Sequence, residues 1–111
     1  MVESEQLSRE QIVAKYKAQH GQVVVFAKGD DLLICRKANE IEAQKYLDKI
    51  SSTAAKTAAR DELVRTTRVY PETPAEADRI FQRWTFAKVP LANAIAEMCG
   101  FDDSLVQIEG N

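Results

Sequence analysis

Two nearly unbroken apolar runs, Gln22-Val23-Val24-Val25-Phe26-Ala27 and Leu32-Leu33-Ile34-Cys35-Arg36, constrain this chain more than any other feature. Their β-branched and aromatic content suits strands, and Lys28-Gly29-Asp30-Asp31 between them carries turn chemistry, so the segment reads as a β-hairpin. Neither strand alternates apolar with polar residues. Such strands need cover on both faces, and an isolated hairpin is only marginally stable in water. The rest of the chain must therefore supply helices for one face, and something else, such as a partner subunit, for the other.

The flanking sequence turns to helical spacing. Ser8 with Gln11 forms a capping box, Leu7 is placed to staple against Ile12, and Gly21 stops a helix that ends near His20. Asn39 with Glu42 starts a second helix, with Ala43, Tyr46, Leu47 and Ile50 on one face up to a break at Ser51-Ser52. An Ala-rich third helix from residue 53 to about 68 carries a small-residue stripe of Ala55, Ala59, Leu63 and Thr66, and Val69-Tyr70-Pro71 ends it. Thr73-Pro74-Ala75-Glu76 reads as a cap, a first-turn proline and a capping-box Glu for a fourth helix that buries Ala77, Ile80, Phe81 and Trp84. A fifth starts at Pro90 with Leu91, Ala94, Ile95 and Met98 inward, and Gly100 closes it. The expected fold is α+β and mostly helical, with one N-terminal hairpin and about five short helices. At 111 residues the chain holds one core, so residues 1–100 read as a single globular domain. Residues 101–111 read as an acidic tail or short strand.

Chemistry is sparse. The single histidine, His20, falls at a helix end, where it caps or offsets the helix dipole. With the distant Cys35 and Cys99 it lacks the close ligand pairs of a zinc site. Asp30-Asp31 and Asp102-Asp103 lack the interleaved ligands of a calcium loop and read as solvated turn residues. No phosphate-binding glycine loop is present. Neither an enzyme nor a cofactor or metal site is expected. The polar, acidic residues 1–6 lack the pattern of an export signal, no apolar run approaches a membrane span, and the cysteines read as buried thiols, so a cytoplasmic protein is expected. The net charge of −2 hides an uneven spread: residues 36–88 hold 11 basic against 8 acidic residues, and residues 89–111 hold four acidic and no basic ones. Lys56, Arg60, Arg65 and Arg68 form the one basic strip. Without interleaved aromatics it reads as a solvated face paired with Asp61 and Glu62, so nucleic acid is disfavoured.

A series of features over residues 21–100 resembles the small tail assembly chaperones of long-tailed bacteriophages and prophages. It comprises the hairpin ending in Cys35-Arg36-Lys37, the helix with Glu42 and Tyr46, and the Ala-rich helix into Leu63-Val64 and Val69-Tyr70-Pro71. The amphipathic helix with Phe81 and Val89-Pro90-Leu91 through Ile95 to Gly100 complete it. The family often places a proline after the strand arginine, where this chain has Lys37-Ala38. The resemblance implies a protein that binds and solubilises a tape-measure protein during tail assembly, with an apolar groove or the hairpin face covering helical segments of that partner. Phe26, Ile34, Tyr70, Phe81 and Trp84 are the candidate contact residues. The alternatives are a structural tail or head-to-tail connector subunit forming a homo-oligomer through the hairpin, and a small nucleic-acid-binding regulator.

Overall fold

A computed structural model describes residues 8–50 and 55–100. The fold is α+β, with five helices and a three-stranded antiparallel sheet among these residues. The elements run α1 (Arg9–His20), β1 (Val23–Lys28), β2 (Asp31–Arg36), α2 (Glu40–Ile50), α3 (Lys56–Thr67), β3 (Arg68–Tyr70), α4 (Pro74–Arg83) and α5 (Lys88–Met98). The Leu7 staple, the Ser51-Ser52 break and the 101–111 tail or strand lie outside the described residues.

Local signals set the first half of the chain. Ser8 Oγ accepts from the Gln11 N–H at 3.1 Å, and Gln11 Oε1 accepts from the Ser8 N–H at 2.8 Å, completing the expected capping box. Gly21 then takes φ 78°, a left-handed value that glycine adopts without a Cβ penalty, and its N–H donates to the Lys17 carbonyl. The hairpin loop is Gly29-Asp30, with Lys28 paired to Asp31. Gly29 has φ 59° and Asp30 a negative φ, the signs of a type II′ turn, whose twist matches that of the strands. Each strand therefore reaches one residue further into the turn than its apolar run.

β2 is the central strand, between β1 and β3. Its Leu32, Leu33, Ile34 and Cys35 are all buried. Leu32 and Ile34 meet Tyr16, Ile12 and Val13 of α1 on one face. Leu33 and Cys35 meet Leu63 and Val64 of α3 and Leu91 and Ile95 of α5 on the other. The second cover of the hairpin is thus the chain's own first helix, and no partner subunit is needed for it. Tyr16 anchors that helix: its ring lies 5.9 Å from the Tyr70 ring, and its hydroxyl donates to Glu72 Oε2 at 2.9 Å. Burial, and then that hydrogen bond to Glu72, push the Tyr16 phenol up to about 12.

Charged residues fasten the two ends of β2. Arg36 makes a two-pronged pair with Glu42, both contacts 2.9 Å, and also donates to the Thr66 carbonyl at the end of α3. Glu42 also completes the expected box with Asn39, through contacts of 2.8 and 2.9 Å. One carboxylate thereby caps α2 and ties it to the sheet, and the Arg36 hydrogen bonds hold its pKa below the usual carboxylate range.

Several readings need correction. Val69-Tyr70 does more than end the third helix: β3 pairs with β2 there, Ile34 opposite Tyr70 and Cys35 opposite Arg68, with a bulge between. The buried side of α3 is Ala59, Leu63, Val64 and Thr67, whereas Thr66 is exposed. Thr67 tolerates full burial because its Oγ1 donates to the Leu63 carbonyl at 2.7 Å. Thr73 stands at the N-cap of α4 with Pro74 in the first turn, but makes no side-chain cap bond, so the capping box with Glu76 does not form. α5 begins two residues before Pro90. A proline in the first turn forfeits no helical bond, and the first one formed is Leu91 N–H to the Ala87 carbonyl. Ala94 and Met98 are half-buried, while Ala92 and Ala96 share the core with Leu91 and Ile95.

Leu33 touches no solvent. Leu33→Ala is expected to cost about 3 kcal/mol in urea unfolding, within the usual range for emptying a packed leucine site. Val25→Ala on exposed β1 should cost under about 1 kcal/mol.

Candidate functional site

An open and largely apolar surface forms where α4 turns into α5 against the hairpin. α4 ends at Trp84, whose N–H donates to the Ile80 carbonyl, and a tight turn follows, Ala87 N–H to the Trp84 carbonyl at 3.0 Å. Buried Ala87 pins this turn to the core, which leaves Thr85 and Phe86 outside. Phe86 is 80% exposed, the most exposed large apolar side chain of the described residues. With Phe26, Lys28, Arg83, Trp84 and Pro90 it lines an open groove of about 460 Å³. A second apolar recess, about 180 Å³, opens between α2 and α5 beside Cys99, lined largely by small side chains such as Ala38, Ala43 and Ala96. It presents no exposed aromatic.

Asp31 organises the groove. Its carboxylate accepts from Arg83 Nε and Nη2, each at 2.8 Å, and from Trp84 Nε1 at 2.7 Å. The end of α4 is thereby clamped to the start of β2, and the indole is held with one ring face toward Lys28, whose Nζ lies 5.3 Å from the ring centroid. Hydrogen bonds from Arg83 and then Trp84 hold the Asp31 carboxyl below its ordinary range. The reading of Asp31 as a solvated turn residue is overturned, since only 13% of its side chain is exposed. Phe86 is the residue that spacing alone undervalued: it flanks a helix end like Trp84, and only the buried Ala87 beside it decides which way it faces.

The five candidate contact residues do not converge. Phe26 and Trp84 share the groove. Ile34 is wholly enclosed under α1 and Tyr70 packs against Tyr16, both on the opposite face of the sheet. Phe81 is half-buried against the main core, with Lys88 Nζ 4.8 Å from its ring centroid.

Elsewhere several ionisable groups pair with one another or with the backbone. Arg65 pairs with Asp61 at 2.9 Å and with Asp78 at 3.8 Å, Lys88 also reaches Asp61, Lys49 pairs with Glu62, and Arg68 donates to the Pro71 carbonyl. Burial would raise the Asp61 carboxyl, but hydrogen bonds from Lys88 and Arg65 outweigh it and leave it lowered. Of the basic strip, Arg65 and Arg68 are thus engaged within the fold, whereas Arg60 Nε is buried without a hydrogen-bond partner among the described residues. Cys35 is buried, which pushes its thiol up to about 11, and the half-buried Cys99 thiol donates to the Ala38 carbonyl at 3.6 Å. Among the described residues, no three His, Cys, Asp or Glu side chains converge to hold a metal ion, and no helix is long and apolar enough to cross a membrane. Comparison of the chain with family models, curated proteins and solved structures gives no match.

The one tryptophan, Trp84, reports directly on this site. Asp31→Ala is expected to shift Trp84 emission to the red at neutral pH by freeing the indole. In the unmutated chain the same shift should appear on acidification. A carboxyl whose folded pKa is depressed stabilises the fold fully above its unfolded value, and that contribution disappears as pH falls through the folded one. Fluorescence titration of both proteins checks this.

Proposed function

We propose that the protein is a binding module that covers an apolar helical segment of another chain, in the manner of a small tail assembly chaperone acting on a tape-measure protein. The observation that carries this reading is the 80% exposure of Phe86 in a groove that it lines together with Phe26, Trp84 and Pro90. An apolar lining takes the apolar face of an amphipathic helix, and Lys28 beside it favours an acidic residue on the flank, Arg83 being already paired with Asp31. Fully burying a phenylalanine contributes about 1.5–3 kcal/mol, enough to make one side chain decisive in a reversible contact. The residues of the groove present no nucleophile paired with a base, so the reading is of contact without chemistry.

The alternative, a structural tail or head-to-tail connector subunit, draws on the open outer edge of β1. A closed ring in light scattering would favour it.

Co-expression with a tape-measure protein encoded in the same genomic neighbourhood is expected to raise that protein's soluble fraction and to co-purify it. Phe86→Ser should weaken the association at least about tenfold while leaving the melting temperature nearly unchanged. Failure of the unmutated protein to co-purify the tape-measure chain would defeat the proposal.

A further inference from the structure

The two edges of the sheet are built differently. β3 is three residues long, is bulged against β2, and runs directly into Pro71, which has no N–H. Short strands, bulges and prolines are the devices that keep sheet edges from pairing. β1 has none of them: it is six residues long, pairs in regular register with β2 on one side, and carries no charge or proline from Val23 to Ala27. Because Lys28 and Asp31 bracket a two-residue loop as a hydrogen-bonded pair, alternation along the ladder turns the N–H and C=O of Ala27, Val25 and Val23 outward. Among the described residues nothing pairs with these groups.

We infer that this edge pairs with the same edge of a second copy, antiparallel about Val25, to make one continuous six-stranded sheet. The segment is self-complementary in that register. Val25, 41% exposed, sits on the two-fold axis against its own equivalent. Val23 meets Ala27 of the second copy, and half-buried Val24 meets half-buried Phe26, a β-branched and aromatic cross-strand pair. Lys28 falls opposite Gln22, so no like charges face each other across the strands. Gln22 shares a surface recess with Lys17 of α1 and Glu97 of α5. Each Lys28 is therefore brought to a recess that holds both Glu97 and Lys17 of the other copy, and Glu97 is the carboxylate open to it there, twice over by symmetry. Pairing of this kind closes on itself as a dimer and builds no ring.

The inference does not rest on the proposed function: Phe26 and Lys28 line the Phe86 groove as well as this edge, but Val25 points to the opposite face of the sheet, so Val25→Lys tests the pairing alone. Sedimentation velocity over a dilution series is expected to show a reversible dimer. Val25→Lys, which sets two ammonium groups face to face on the axis, should raise the dissociation constant about tenfold or more. Lys28→Glu and Glu97→Lys should each weaken the dimer, and the double swap should restore it. Circular dichroism melting of each variant confirms that the monomer fold is kept. A protein that stays monomeric at all concentrations, a dimer indifferent to Val25→Lys, or a swap that fails to restore association would overturn the inference.

Discussion

The burial of β2 on both faces is the constraint on which the rest of the structure depends. Four successive apolar residues, Leu32 to Cys35, put alternate side chains above and below the sheet, and neither set tolerates water. One set obliges α1 to fold back through Tyr16, and the other obliges α3 and α5 to cross the opposite face. The polar ends of the same strand then fix what the apolar middle cannot. Arg36 joins the cap of α2 to the last turn of α3, and Asp31 joins the end of α4 to the hairpin. Apolar burial is strong but non-directional, whereas these hydrogen-bonded charges have one good geometry each. Together they allow a small chain to place five helices around three strands.

The groove is a consequence of that arrangement. Asp31 can hold Trp84 only because β2 brings its carboxylate beside the end of α4, and the turn after Trp84 can throw Phe86 outward only because Ala87 is sunk in the core. The proposed client site is therefore built on rigid elements: a strand, a helix end and a helix start. The proposed self-pairing edge belongs to the same hairpin but uses its other resource, unpaired backbone. One face of β1 thus offers apolar side chains to a helix, and its edge offers hydrogen bonds to a strand.

Much of the fold was legible because its signals are local. Capping boxes at Ser8 and Asn39, the Gly21 stop and the hairpin turn each involve residues within a few positions of one another, and all appear where spacing puts them. What escaped depends on distant partners. The strand at Arg68–Tyr70 exists because β2 has a free side to pair with, and three residues carry no periodic signal of their own. Thr66 and Thr67 differ only in which one finds the core, and Asp31 differs from any turn aspartate only through Arg83 and Trp84, more than fifty positions away. For the site, aromatic content pointed to Phe26 and Trp84, but residue type cannot separate an enclosed Ile34 from an exposed Phe86.

On the proposed function, the protein presents the Phe86 groove to an apolar helix of another chain. Titrating the isotope-labelled protein with an amphipathic helical peptide from a tape-measure sequence, while following backbone amides and the Trp84 indole N–H, tests it most directly. Saturable shifts concentrated at Phe26, Lys28, Trp84, Phe86 and Ala87 are expected. Shifts centred on α2 instead, or none at any peptide concentration, would contradict it.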